Sequence, residues 1–208
     1  MVLPFEGIDR GDKQPALLSG GIYYGQCEDG VRDGYGLLYC SDSHGVPLLY
    51  ESMWDRGVPK RGKWIGIYKE GWIMNEGEFD RKYSATGTGT KKWNNGSKYI
   101  GKFEDGKMRG NGKLMSENGS KYEGQWKDDA MHGKGKLTLP DESSYEGDWK
   151  DGGYHGLGRY TFPDGRYDEG QFQENHPIGV HQVFDKQGRQ LELVIYDQDG
   201  NQVNRVNL

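Results

Sequence analysis

Aliphatic bulk, cysteine, long apolar runs and surplus positive charge are all scarce in this sequence, and each shortage removes a class of protein. Hydrophobic residues are 33% of the 208 and aromatics 12%. The apolar volume therefore sits in rings rather than in the Leu, Ile and Val stripes of a compact layered domain. No stretch approaches the ~20 consecutive apolar residues of a membrane-spanning helix, and Met1–Arg10 lacks the layout of a secretory leader. Lys and Arg number 27 against 32 Asp and Glu, a formal net charge of −5 with both signs interspersed. Nucleic-acid binding calls for a basic patch or stripe, so a nucleic-acid partner is not expected. The two cysteines, Cys27 and Cys40, fall in one expected hairpin. A turn at Val31–Arg32 puts Cys27 near Gly36 and Cys40 near Tyr23, keeping the thiols apart. Both read as reduced thiols of a cytosolic chain.

What the chain has instead is 35 glycines, 14 tyrosines and 6 tryptophans, and they recur at a fixed interval. Segments opening at Tyr99, Tyr122 and Tyr145 read YIGKFEDGKMRGNGKL, YEGQWKDDAMHGKGKL and YEGDWKDGGYHGLGRY, at a spacing of 23 residues that continues to Asp168. Looser copies open at Tyr23, Tyr50 and Asn75, and WIGIYKEG from Trp64 reads as a truncated one. A fixed period of this length marks a repeat architecture. Within each copy the pattern alternates with period two: Tyr122, Gly124 and Trp126 on one face, Glu123 and Gln125 on the other. Glycine presents no Cβ, so a ring can lie on the bare backbone of the neighbouring strand. Asn118-Gly119 and Asp164-Gly165 read as tight hairpin turns. The expected fold is all-β: an elongated, single-layer antiparallel sheet of about seven tandem hairpins, roughly 70 Å long at ~10 Å per hairpin. Residues 1–21 read as an N-terminal tail, mobile or docked on a partner, and 22–190 as the array, irregular at 41–98. Residues 191–208 read as a capping hairpin.

The pattern Y-E-G-x-W-K-x-G-x-x-H-G-x-G, fullest at Tyr145–Gly158, resembles the MORN (membrane occupation and recognition nexus) repeat over roughly residues 23–189. Cys27, Ser52 and Asn75 depart from it at ring or glycine positions. The resemblance implies a scaffold in a cytoplasmic, cytoskeletal or ciliary assembly, with chemistry left to separate domains when such repeats are attached to enzymes.

The residues themselves offer little chemistry. His132 and His155 occupy equivalent places before Gly133 and Gly156 and read as repeated turn residues. Thr86–Lys92 lacks the spacing and helix of a phosphate-binding loop. Asp197, Asp199 and Asn201 open like a calcium loop, but Gln202 and Leu208 stand where its glycine and closing glutamate belong. No catalytic residue, metal or cofactor is expected. The constellation with binding content is the ring ladder of Tyr99, Phe103, Tyr122, Trp126, Tyr145, Trp149 and Phe172. A single layer has no second sheet to cover it, so these rings read as both core and docking surface for a protein partner's helix or tail. The alternative partner is a phosphoinositide membrane touched peripherally by basic side chains. Oligomeric state is left open.

Overall fold

A computed structural model of the chain describes residues 1–7 and 18–208. These residues divide into two compact units, Met1–Lys107 and Met108–Leu208. Each is an open antiparallel meander, with no helix and no second layer among the described residues.

Unit 1 holds β1 (Val2–Phe5), β2 (Leu18–Glu28), β3 (Val31–Asp42), β4 (Pro47–Asp55), β5 (Val58–Tyr68), β6 (Gly71–Phe79), β7 (Ala85–Trp93) and β8 (Lys98–Glu104). Each strand pairs with the next. Unit 2 opens on β9 (Lys107–Met115) and continues through β10 (Lys121–Lys127), β11 (Ala130–Thr138), β12 (Ser144–Lys150), β13 (Gly153–Thr161), β14 (Tyr167–Gln173), β15 (His176–Phe184), β16 (Gln190–Tyr196) and β17 (Gln202–Asn207), again paired in chain order.

Two kinds of turn alternate. After the ring-bearing strands other than β6, which ends on Phe79 and leads into a longer loop, comes a two-residue turn with both residues at positive φ: Asp29-Gly30, Arg56-Gly57, Asp105-Gly106, Asp128-Asp129, Asp151-Gly152 and Glu174-Asn175. This backbone matches the twist of the flanking strands, and Asp, Asn and Gly tolerate it best. The Asn118-Gly119 and Asp164-Gly165 steps do not form such turns. They lie in longer loops where the glycine alone has positive φ and the Asn118 or Asp164 side chain accepts the N–H two residues on. A tight turn also bonds to the start of the preceding hairpin's return strand: Asp129 N–H donates to Met108 O on β9, and Gly152 N–H to Met131 O on β11.

Three expectations change. The turn at Asp29-Gly30 shifts the first hairpin's register, so Cys27 faces Arg32 and Cys40 faces Leu48; both thiols are free. Trp64 opens no unit, because it lies on β5, opposite Tyr50 and Asn75, as the end of the Tyr50 hairpin's return strand. Finally, Val2–Phe5 of the expected tail is strand β1, paired with β2 through Val2↔Tyr24 to Phe5↔Gly21. Phe5 is held there by its buried ring, 5.8 Å from Tyr83 and 4.9 Å from the Arg32 guanidinium. The rest of that tail at 8–17, with Pro15, lies outside the described residues.

Candidate partner-binding surface

The ring ladder is the core of each unit. Tyr99 and Phe103 in unit 1, and Tyr122, Trp126, Tyr145, Trp149 and Phe172 in unit 2, are only 0–5% exposed. The rings cover one another edge to face, Tyr122 against Trp126 and Trp149 at 5.2 and 5.0 Å, and Tyr145 against Phe172 at 5.1 Å. Their polar tips are satisfied internally. Tyr122 Oη donates to Gln125 O at 2.9 Å, and burial raises the phenol to about 12. Trp126 and Trp149 donate to the carbonyls of Gly112 and Gly135 at 3.3 and 3.0 Å. These seven rings, expected to be both core and docking surface, are buried: each unit closes over its rings without a second sheet, because the next hairpin's ring caps the one before.

Glycine makes this closure work. In unit 2 the residues Gly112, Gly124, Gly135, Gly147, Gly158 and Gly170 stand in one cross-strand row from β9 to β14. A Cβ at Gly124 would lie 2.5 Å from Tyr122 Oη, and one at Gly147 would lie 2.5 Å from Gly158 Cα. Unit 1 has the same row through Gly25, Gly36, Gly62, Gly77, Gly89 and Gly101, broken at Ser52. Ser52 blocks the bed that Tyr50 would occupy. The Tyr50 hydroxyl instead donates to Tyr83 O at 3.2 Å, and Ser52 Oγ donates to Arg61 O at 3.0 Å. Tyr83, from the β6–β7 loop, adds the ring that Asn75 lacks, and Arg32 donates to its hydroxyl at 3.0 Å. Tyr83 lies in an irregular loop, and Arg32 stands where the later units carry Met108, Met131 and Tyr154, so the repeat pattern did not single out either as part of the core.

The last hairpin replaces its tyrosine differently. Asp168 stands at the opening position, and His181 from β15 lies over Gly170. His181 is fully buried; Nε2 donates to Gln171 O at 2.8 Å and Nδ1 lies 3.4 Å from an Asp168 oxygen. Both ring nitrogens thus face acceptors. Burial opposes the charge on His181, but the Asp168 carboxylate and Gln171 carbonyl outweigh it and raise the pKa.

With the rings inside, the surface open to a partner is the outer face, and the two units differ there. In unit 2 it is a ladder of alternating charge in one row: Lys113, Glu123, Lys136, Glu146, Arg159 and Glu169. Lys113–Glu123 at 2.8 Å, Lys136–Glu146 at 3.3 Å and Arg159–Glu169 at 2.6 Å close it into pairs. Beside it runs a shallow groove of about 820 Å³ floored by Gly135, Gly147, Gly158 and Gly170. In unit 1 the outer face carries apolar rows beside charged positions such as Glu51 and Lys63. Ile22, Tyr39, Leu49, Ile65 and Met74 form one row across β2 to β6, with the first three 46, 55 and 40% exposed. Val2, Tyr24 and Leu37 make a second, exposed row beside it.

The remaining candidates are structural. His132 and His155 lie on return strands β11 and β13, not in turns, facing Gln125 and Asp148 where the register shifts. Thr86–Lys92 is part of strand β7. Asp197 Oδ1 accepts the N–H groups of Asp199 and Asn201 and so closes the β16–β17 turn. Among the described residues no group of three His, Cys, Asp or Glu could hold a metal ion, and no helix is long and apolar enough to cross a membrane.

Comparison with known proteins agrees with the repeat. The family model described as the MORN repeat matches residues 23–45, 99–121, 122–144 and 145–165. No curated protein matches the chain. Among solved structures, a point mutant of the TCP10 domain of CPAP from Danio rerio is 12% identical with a TM-score of 0.26, covering 91% of this chain and 95% of that one. A TM-score that low carries no argument here. The four matched stretches coincide with hairpins built on the tyrosine–glycine bed, and the chain carries MORN repeats at these four places.

Proposed function

We propose that this chain is a non-catalytic scaffold that binds a helix or tail of a partner protein on the outer face of unit 1. MORN repeats are protein- or membrane-interaction modules in general. The observation that carries the reading is the uncovered apolar row of Ile22, Tyr39 and Leu49, which contributes nothing to the core. Soluble chains rarely expose contiguous apolar surface of this kind unless something docks on it. The free thiols of Cys27 and Cys40, with Cys40 buried and pushed up to about 12 by that burial, fit a reducing, cytoplasmic setting. A cytoskeletal or ciliary assembly is the setting that the family resemblance favours.

The second reading is peripheral contact with phosphoinositide membranes, suggested by the same apolar residues. Two experiments on the intact chain separate them: a pull-down read by mass spectrometry, and co-sedimentation with phosphoinositide vesicles. The scaffold reading expects a protein captured by wild type, lost with Tyr39→Glu plus Leu49→Glu at unchanged melting, and no sedimentation. Sedimentation without any such protein would replace it with the membrane reading.

A further inference from the structure

We infer that the partner segment seated on unit 1 is an amphipathic helix whose apolar stripe ends in acidic residues, with the acids resting on Lys92 and Lys98; this deepens, and rests on, the docking reading above. The register carries the inference. The apolar row Ile22–Tyr39–Leu49–Ile65–Met74 does not stop at β6: Met74 faces Lys92 on β7, and Lys92 faces Lys98 on β8. The same line across the strands is apolar for five positions and then cationic for two.

The two lysines are placed against expectation. Like charges directly opposite on neighbouring strands are destabilising. Elsewhere on the outer face lysines meet acids, as in Lys63–Glu51 at 2.6 Å. Lys92 and Lys98 have no ion pair among the described residues. An acid supplied by a partner would relieve that repulsion at the end of an apolar track.

The track also sets the partner's form. Strands repeat about every 4.8 Å, close to the helical pitch of ~5.4 Å, so a helix laid across them presents roughly one apolar residue per strand. From β2 to β6 is about 19 Å, or ~13 helical residues, and reaching Lys98 takes ~19. A strand partner would need an open edge, and this row crosses the middle of the sheet. Lipid recognition ordinarily takes a cluster of about 4–8 basic residues, and this row ends in two.

The test uses the full chain and two synthetic helical peptides of about 19 residues with one leucine stripe, tipped with either glutamates or lysines. Vesicles of phosphatidylcholine with phosphatidylserine form the third arm. The acid-tipped peptide should bind at least about tenfold tighter than the lysine-tipped one. Lys92→Glu with Lys98→Glu should reverse that order, and Leu49→Glu should abolish binding of both without lowering the melting temperature. Equal affinity for both peptides would overturn the charged end while leaving the docking reading intact. If neither peptide binds, the helix is refuted, and vesicle binding alongside that result would remove the docking reading too. Binding that survives Leu49→Glu but is lost with Glu146→Lys would move the site to unit 2 and refute the inference.

Discussion

Tyr122 leaves no room for side chains at Gly124 and Gly135, because its ring lies where their Cβ atoms would stand. Since the bed is backbone, an added methyl must displace the ring or the strand, and overpacking of this kind costs about 1–3 kcal/mol. Gly135→Ala should therefore lower stability by about that amount in urea unfolding. Lys136→Ala next to it removes only an exposed ion pair and should change stability by under ~1 kcal/mol. Equal costs would show that the glycine row is not a packing requirement. The buried His181–Asp168 pair makes a pH prediction. The folded pKa of His181 is raised, so the protonated histidine favours the folded state. Its contribution is fully present below the unfolded value of about 6.5 and is lost as pH rises through the folded value. The turn aspartates Asp164, Asp185 and Asp197 are held below their usual range by the N–H groups they accept, so they stay ionised across this window and add no slope. Wild type should lose urea resistance from neutral to mildly alkaline pH, and Asp168→Asn should flatten that loss. A slope unchanged in Asp168→Asn would mean the pair does not titrate as described.

The hairpin is the scale at which the sequence was most readable. The 23-residue spacing located the strands of β8 to β14, and the period-two alternation assigned their faces correctly. Over these strands it put turns in the right places but mistook the kind at Asn118-Gly119, because Asn-Gly is a strong short-range signal for a tight hairpin while Asp128-Asp129 is a weak one. Here the weaker pair takes the tight turn and Asn118-Gly119 the longer loop. It also read Trp64 as a new unit, since a ring–glycine alternation looks the same at the start of one strand and at the end of another. Only the pairing of Trp64 with Tyr50 settles which it is. Asp129 then offers a test of the turn: its backbone has φ +69°, and its carboxylate accepts Met108 N–H at 2.9 Å. Asp129→Ala loses the hydrogen bond and strains the left-handed backbone, and should cost roughly 1–2 kcal/mol. Asp129→Gly relieves the strain and should cost less. If Ala were the milder change, the turn geometry would be wrong.

For the molecule as a whole, the decisive question is which face is closed. A single layer suggested an open ring face, and what the sequence could not convey is that rings from successive hairpins cap each other. Sequence did carry a signal for the real asymmetry. In residues 22–74 apolar side chains fall at both parities, Tyr23 and Leu38 inward, Ile22 and Tyr39 outward. In residues 121–171 the outward parity is almost wholly charged or amide. Unit 1 thus carries apolar side chains on both faces of one layer, and the outward ones lie outside its core. The most direct measurement places a photo-crosslinking amino acid, one site at a time, at Tyr39 and Leu49 on the outer face of unit 1, at Leu157 on the outer face of unit 2, and at Tyr122 in the core. Adducts with a protein partner are predicted from positions 39 and 49 and not from 122 or 157. Adducts from position 122 or 157, with none from 39 and 49, would contradict the assignment of the binding face.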